Sequence, residues 1–161
     1  MKSGITRRTF SLMAATLPFI RPALAEAKTV EVRMYTKDPD NKKNRNVFLP
    51  RIVKISPGDT VKFVASERGH NSESTKGMLP EGTEGWKGKI SKDIEVTFDK
   101  PGIYGYHCTP HRTLGMVGAV IVEGDGMTDN LEAAKAAKQR GKAKKVWQEI
   151  WAEIEEKNLL T

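Results

Sequence analysis

The nine residues from Cys108 to Met116 constrain the fold of this chain more than any other stretch. They hold the only cysteine, a histidine three residues after it, and a methionine at the far end. If these side chains act together, the cysteine must end one strand, the chain must turn, and His111 and Met116 must return to the same point. His70 lies far upstream, beside Asn71. The segment therefore predicts a site built on a loop between two strands.

A thiolate, two imidazoles and a thioether form the ligand set of a type 1, or blue, copper site. Thiolate and thioether are soft ligands that suit copper, and imidazole serves both of its oxidation states. We predict one copper ion per chain, bound by His70, Cys108, His111 and Met116. His107 precedes Cys108 in an extended strand and faces the other way, so we do not expect it to be a ligand.

Two other interpretations of these residues stay open at this stage. A single cysteine is usually a small buried hydrophobic residue, beside which histidines are ordinary polar loop residues. A cysteine and a histidine also form the nucleophile pair of thiol hydrolases, but Met116 and the second histidine would then have no role. A complete ligand set leaves no open position for a substrate, which favours an electron carrier over an enzyme.

These residues resemble the motif of the cupredoxins, among which the pseudoazurin family is the most similar. The resemblance covers nearly the whole chain after residue 25, including residues 56–61, 68–71, 78–82, 108–111 and 115–116 and a helical tail. It implies a mainly β, cupredoxin-like Greek-key sandwich or barrel with two C-terminal helices. It also implies a soluble type 1 copper protein that shuttles one electron at a time between partners.

The resemblance assigns roles to residues around the predicted ligands. Asn71 would hydrogen-bond across to the cysteine loop, and Thr109 and Pro110 would shape that loop. His111 would reach the surface through an apolar patch bordered by Leu114, and electrons would leave the protein there.

Around such a patch, members of this family carry basic residues that meet an acidic partner. Carried over by position, this docking ring comprises Lys37, Arg68, Lys87 and His107. His107 departs from the pattern, because a lysine is usual at that position. We therefore expect docking to weaken as the pH rises, since a histidine loses its charge near neutrality.

The resemblance implies that the partners are periplasmic reductases of denitrification. Copper nitrite reductase comes first, followed by cytochrome-type nitrite reductase or nitrous oxide reductase. Electron delivery to a peroxidase or another oxidoreductase fits the residues equally well. A copper carrier or delivery protein is the alternative from another functional class, although such proteins favour several exposed Met and His sites, which this chain lacks.

The first 25 residues are typical of a cleaved export signal. Arg7 and Arg8 form a twin-arginine pattern, an apolar run follows, and Ala23 and Ala25 suit a signal peptidase. The run is too short to span a bilayer, and we expect a periplasmic monomer without a membrane span. An amphipathic anchor and the general secretory route remain the alternatives.

The charge of the mature chain excludes one class of partner. The formal net charge is +7, but residues 1–25 hold four basic residues and no acid. The remainder has 23 basic and 20 acidic residues, a net charge of +3. We therefore expect no binding of nucleic acid, which requires a strongly basic surface.

Residues 26–124 show the pattern of a single β domain. Apolar residues alternate with polar ones after residue 29, over residues 60–65 and over residues 94–98, and turns such as Pro57-Gly58 separate them. Residues 48–55 are predicted to form one β segment in which Pro50 marks an edge or bulge. Residues 72–92 form a long polar connection that Met78 and Leu79 would fix to the core.

Residues 125–161 are predicted to be a helical extension packed on the same domain. A capping box at residues 129–132 would begin an alanine-rich helix that ends near residues 140–141. In a second helix, residues 146, 147, 150, 151 and 154 form one apolar stripe, predicted to pack on the sheet. A helix that binds a partner is the alternative.

Overall fold

Two four-stranded β-sheets and two C-terminal helices make up residues 26–161, the part of the chain that the computed structural model describes. The strands are β1 Thr29–Lys37, β2 Arg45–Leu49, β3 Ile52–Ile55, β4 Asp59–Val64, β5 Glu73–Ser74, β6 Ile94–Phe98, β7 Gly102–His107 and β8 Val117–Val122. Their orders in the two sheets are β2-β1-β4-β6 and β3-β8-β7-β5. The predicted mainly β fold with two C-terminal helices is confirmed. The predicted export signal, residues 1–25, lies outside the described residues.

The segment that was predicted to be one strand over residues 48–55 is two strands in different sheets. β2 pairs antiparallel with β1, whereas β3 pairs parallel with β8. The break falls at Pro50 and Arg51, because proline has no N–H to contribute to a ladder. The chain therefore crosses from one sheet to the other at this point, and the two sheets enclose a common core.

β7 and β8 are buried along their whole length, because both faces of their sheet are covered. Tyr104, Tyr106 and Val120 point into the core between the sheets. Ile103 and Ile121, which alternate with them, pack instead against the C-terminal helices. This burial on both faces explains why the sequence of β8 is a nearly continuous run of apolar residues.

The long connection between β4 and β6 is held down by apolar residues. Met78 is buried, and Leu79 packs against the core between the sheets, as predicted. Trp86 stacks on Phe63 with ring centroids 5.8 Å apart, and its indole N–H donates a hydrogen bond to Ser72 Oγ. The short strand β5 lies within this connection and pairs with β7.

The first helix, α1, spans Leu131–Ala136 and is shorter than predicted. The capping box predicted at residues 129–132 is wrong, because the residue that precedes the helix is Asn130 and not Asp129, and its side chain makes no capping hydrogen bond. Its amide instead bonds the backbone of Ile103 in β7, donating to the carbonyl at 2.7 Å and accepting from the N–H at 3.0 Å. The helix therefore starts where the sheet fixes Asn130, and the chain turns extended at Ala137.

The second helix, α2, spans Ala143–Glu156 and packs its apolar stripe on the sheet, as predicted. Trp147, Ile150 and Ile154 are buried in the cluster that includes Ala119 and Ile121. Arg51 fastens the helix to the β2–β3 junction through ion pairs with Glu149 and Glu153. Within residues 26–161, no helix is long and apolar enough to cross a membrane.

Candidate metal centre

The loop after β7 brings the predicted ligands back to one point. The Cys108 N–H donates a hydrogen bond to the Met116 carbonyl at 3.0 Å, and the Met116 N–H donates one to the His111 carbonyl at 3.1 Å. A short 3-10 turn, Arg112–Leu114, lies between them and ends at Gly115, whose φ of 95° suits glycine. Backbone hydrogen bonds therefore close the loop at both ends and set the spacing of the three side chains.

His70, Cys108 and His111 come together as predicted. The Cys108 sulfur lies 3.8 Å from His70 Nδ1 and 3.4 Å from His111 Nδ1. All three atoms lie within 4.8 Å of one another, which makes the group a possible metal site. His70 and Cys108 are fully buried, whereas His111 is half-buried. The cluster thus has a closed inner side and one histidine on its outer side.

A threonine that sequence analysis missed orients His70. Thr36 Oγ1, on β1, lies 2.9 Å from His70 Nε2. With Nε2–H donating to this hydroxyl, the Nδ1 lone pair faces the Cys108 sulfur, as metal coordination requires. Glu67 in turn accepts a hydrogen bond from the Thr36 backbone N–H. No local motif could reveal Thr36, which is 34 residues from His70 and reaches it only through strand pairing.

Burial prepares these groups to bind a soft cation. It lowers the pKa of His70, to which the charge of His111 adds, so that the imidazole stays neutral with a free lone pair. Burial also raises the pKa of the Cys108 thiol, so that a bound cation is needed to stabilise the thiolate. One buried sulfur and two imidazole nitrogens match copper, because the thiolate is the soft donor.

Met116, the fourth predicted ligand, is fully buried in the same core cluster as Cys108. Its backbone position is fixed by the two hydrogen bonds that close the loop. Its role as the fourth ligand stays a prediction.

Asn71 and Thr109 are brought together across the two ligand-bearing loops. The Thr109 N–H donates to Asn71 Oδ1 at 2.8 Å, and Asn71 Nδ2 donates to Thr109 Oγ1 at 2.9 Å and to the Gly88 carbonyl at 3.0 Å. The Thr109 hydroxyl donates onward to Glu73, a residue that sequence analysis missed. Pro110 is exposed next to this clamp.

Four of the five residues predicted to face a partner lie at the surface. Lys37, Arg68 and Lys87 are exposed, and Leu114 is 51% exposed beside His111. Leu114 and Ile90 are the two large hydrophobic residues that stand out as exposed within residues 26–161.

His107 does not belong to this surface, so its predicted docking role and pH effect are wrong. The side chain is buried, and its Nδ1 lies 2.8 Å from Thr75 Oγ1. Burial, with the positive charge of Arg112 adding to it, lowers the pKa of His107 to about 4. The imidazole is therefore neutral near pH 7, where the predicted change of charge would have occurred.

Comparison with known proteins decides which family has this site. A profile described as copper binding proteins, plastocyanin/azurin family, matches residues 36–123. The pseudoazurin of Paracoccus pantotrophus is 44% identical over 131 residues, which cover 81% of this chain and 86% of the relative. The chain belongs to the pseudoazurin family.

Other relatives of known sequence or structure agree. The pseudoazurin of Methylorubrum extorquens is 39% identical over 143 residues, covering 89% of each chain. A solved pseudoazurin structure from Sinorhizobium is 46% identical, covers 80% of this chain and 97% of its own, and superposes with a TM-score of 0.73. The cupredoxin fold predicted from the sequence is thereby confirmed.

Membership of the pseudoazurin family settles the class of function. The protein is a blue copper electron-transfer protein and not an enzyme, and its partners are redox proteins. The His70, Cys108 and His111 cluster fits a type 1 copper site. The alternatives of a structural cysteine and of a thiol nucleophile are thereby excluded.

Proposed function

We propose that this member of the pseudoazurin family is a periplasmic one-electron shuttle that donates to a denitrification reductase, with copper nitrite reductase as the first candidate. In this proposal, residues 1–25 are removed on export, residues 26–124 form the copper-binding domain, and residues 125–161 are part of the same folded unit. The twin arginines at 7 and 8 and the packing of α2 on β8 support this division.

The observation that carries the proposal is that the donor atoms of His70, Cys108 and His111 lie within 4.8 Å of one another. In this assignment His70 Nδ1, Cys108 Sγ and His111 Nδ1 would hold the metal, and the Met116 thioether would be the fourth and weaker ligand. When bound, copper supplies one-electron chemistry between its Cu(I) and Cu(II) states.

The chain contributes rigidity and exclusion of water. His70 is held by Thr36, the cysteine loop is closed by backbone hydrogen bonds, and the Asn71–Thr109 clamp joins the two loops. Ligands held in this way keep their positions in both oxidation states, so little rearrangement accompanies electron transfer. The complete burial of Cys108 keeps water away from the sulfur.

Electrons leave and enter on the side of His111. This histidine is half-buried, whereas His70 is fully buried, and the exposed Leu114 lies three residues after it. An apolar contact at Leu114 brings a partner close to an imidazole that is itself a ligand. The path from the metal to the partner is then a single side chain.

Exposed positive charges near this face favour an acidic partner. Lys37, Arg68 and Lys87 supply them in our proposal. Charges of this kind mainly raise the rate of encounter, and they act less strongly as salt is added. The contact itself is small, as is usual for transient redox complexes.

The visible spectrum of the mature protein with Cu(II), beside that of Cys108→Ser, tests the metal site. We expect an intense thiolate-to-copper charge-transfer band that reductant bleaches and that the variant lacks. A weak d–d band alone in the wild-type protein would contradict the assignment of Cys108 as a ligand.

Partner choice needs a separate measurement. The reduced protein is mixed with copper nitrite reductase and nitrite, or with a cytochrome peroxidase and peroxide, and its reoxidation is followed at two salt concentrations. Fast, salt-sensitive reoxidation by the nitrite reductase supports the proposal. Fast reoxidation by the peroxidase alone would refute the denitrification partner while leaving the electron carrier intact.

A further inference from the structure

One carboxylate joins the exposed face of the protein to the cysteine loop. Glu73 lies in β5, directly opposite His107 of β7, and its side chain is 23% exposed. Its Oε1 lies 3.3 Å from Lys87 Nζ, and its Oε2 accepts a hydrogen bond of 2.5 Å from the Thr109 hydroxyl. The carboxylate therefore has one oxygen on a surface lysine and the other on the residue that follows Cys108.

The chain of contacts from Lys87 through Glu73 ends at Thr109, which bonds both ligand loops. The Thr109 hydroxyl that donates to Glu73 also accepts a hydrogen bond from Asn71 Nδ2, and the Thr109 N–H donates to Asn71 Oδ1. Because Thr109 and Asn71 each follow a predicted ligand in sequence, a change at Glu73 acts on both ligand loops. Hydrogen bonds that share a hydroxyl also polarise one another.

The outer end is open to solvent. The Lys87 side chain is 68% exposed, so that an incoming carboxylate can reach its ammonium group. Within residues 26–161, the structure places two basic side chains within 4 Å of the Glu73 carboxylate, those of Lys87 and His107. His107 is buried and its contact with the carboxylate is the longer one, at 3.8 Å, so Lys87 is the partner of Glu73 that a docking protein can reach. The charge of Glu73 also acts on Arg112, whose pKa it raises against the lowering effect of burial. The Arg112 guanidinium, however, donates its hydrogen bonds to the Lys138 carbonyl and to Gln139.

Glu73 is held ionised by these same contacts. Burial by itself would raise the pKa of Glu73, but hydrogen bonds from Thr109 and Lys87 outweigh it and lower the pKa below its ordinary value. The Glu73 carboxylate is therefore negatively charged at neutral pH, and what can change is its pairing with Lys87.

We propose that Glu73 is a positioning residue that couples the docking of an acidic partner at Lys87 to the cysteine loop. When a partner carboxylate pairs with Lys87, the lysine is drawn away from Glu73, whose negative charge is then less compensated beside Thr109. This inference rests on the proposed function, because it takes Lys87 to be part of the docking surface.

The direction of the effect follows from the sign of the charge. A less compensated carboxylate near the site favours the more positive, oxidised state of the centre and thus lowers its reduction potential. Docking would then make the protein a better electron donor at the moment when the acceptor is bound. Glu73 itself exchanges no electron or proton.

Four proteins test this coupling in a double-mutant cycle: wild type, Glu73→Gln, Lys87→Gln and the double variant. The Lys62–Glu95 pair provides a matched control, because it joins β4 and β6 in the other sheet at 3.7 Å. Glu95→Gln, Lys62→Gln and their double variant form the control cycle.

The first measurement is hydrogen exchange of the Thr109 amide in the full mature chain. We expect exchange about five-fold faster in Glu73→Gln, because the clamp with Asn71 loses its third partner. We expect no change in Glu95→Gln. Unchanged exchange in Glu73→Gln would show that the hydrogen bond from Thr109 to Glu73 does not stabilise the cysteine loop, and this would overturn the proposal.

The second measurement is the reduction potential of the copper-loaded proteins at high salt, where direct long-range effects of surface charge are screened. We expect Glu73→Gln to raise the potential and Lys87→Gln to lower it. The shift caused by Lys87→Gln should be less than half as large when Gln already occupies position 73. Equal shifts in both backgrounds would show that Lys87 acts without Glu73, which overturns the coupling.

Poly-L-glutamate serves as the acidic probe of docking. Its addition should shift the Thr109 amide resonance of the wild-type protein but not those of Lys87→Gln or Glu73→Gln. A shift that persists in Glu73→Gln contradicts the coupling. The amide measurements decide the coupling whether or not the copper band is present, whereas the band alone decides the metal site, so that the two failures are distinguishable.

Discussion

The backbone N–H of Thr109 donates a hydrogen bond to Oδ1 of Asn71 at 2.8 Å, and Nδ2 of Asn71 donates one back to the Thr109 hydroxyl at 2.9 Å. Asn71 follows His70 and Thr109 follows Cys108, so this pair of bonds fastens the two ligand loops to each other. Asn71 is buried and Thr109 is exposed, so the clamp lies between the buried ligands and the surface, where it resists separation of the two loops.

Asn71→Ala should loosen this clamp. Asn71 is 1% exposed and makes three hydrogen bonds, so its loss should lower the free energy of unfolding by about 2 to 3 kcal/mol. It should also broaden the copper charge-transfer band. Chemical denaturation and the visible spectrum measure the two effects. Asn44→Ala, which removes an exposed asparagine bonded to Asp38, should change neither by a comparable amount.

Met116→Leu should keep the copper band but raise the reduction potential. The thioether would be the weakest of the four donors in our assignment, and its removal should favour the reduced state over the oxidised one. Leucine conserves volume at this fully buried position, so stability should fall by less than about 1.5 kcal/mol. Met78→Leu, at another buried methionine, is the control. An equal rise of the potential in both variants would exclude Met116 as a ligand.

Leu114→Ser should slow electron self-exchange while leaving the spectrum and the stability unchanged. Leu114 is 51% exposed beside His111, so the change removes apolar contact area between two molecules and little of the core. Ile90→Ser is the matched control, because Ile90 is 49% exposed. Line broadening in NMR spectra of half-reduced samples gives the rate. Equal slowing in both variants would place the electron exit elsewhere.

Ile150→Ala should destabilise the whole domain and not the helical extension alone. Ile150 is fully buried in the cluster between α2 and the sheet, and its truncation should cost about 2 to 4 kcal/mol. Gln148→Ala, at an exposed position of the same helix, should cost little. Unfolding is followed by far-UV circular dichroism and by loss of the copper band. Two separate transitions would show that residues 125–161 are an independent unit.

The buried carboxylate of Asp59 should make the stability of the protein depend on pH. Its carboxylate accepts hydrogen bonds from the Lys28 and Ser56 N–H groups, which lower the pKa of Asp59 below 3.8. The stabilisation is complete above pH 3.8 and is lost as the pH falls through the lower pKa of the folded state.

Asp59→Asn should therefore be less stable than the wild type by about 1 kcal/mol at pH 7, and the gap should close toward pH 2. Urea denaturation between pH 2 and 7 measures it. Asp99→Asn, at an exposed position, is the control. A gap that stays constant with pH would show that the ionised carboxylate contributes nothing.

Much of the candidate site could be predicted from the sequence because the proposed ligands lie on two short segments. The spacing of Cys108, His111 and Met116 specifies a loop whose backbone hydrogen bonds are local, and the structure closes that loop as expected. The alternation in β1 and β4 likewise places Val32, Met34 and Phe63 in the core. Patterns of this kind succeed where neighbours along the chain fix the geometry.

The features that could not be predicted depend on contacts between segments that are distant in the sequence. Asn130 could cap a helix by local rules, but its side-chain amide bonds the backbone N–H and carbonyl of Ile103 instead. His107 alternates away from Cys108 as expected, yet its side chain is buried, with Thr75 Oγ1 2.8 Å from one ring nitrogen and Glu73 3.8 Å from the other. Thr36 and Glu73 reach the site only because their strands pair with or lie beside those that carry it. Local spacing determines which groups can bind metal, whereas burial and long-range hydrogen bonds determine their charge and orientation, because both depend on neighbours that only the folded chain supplies.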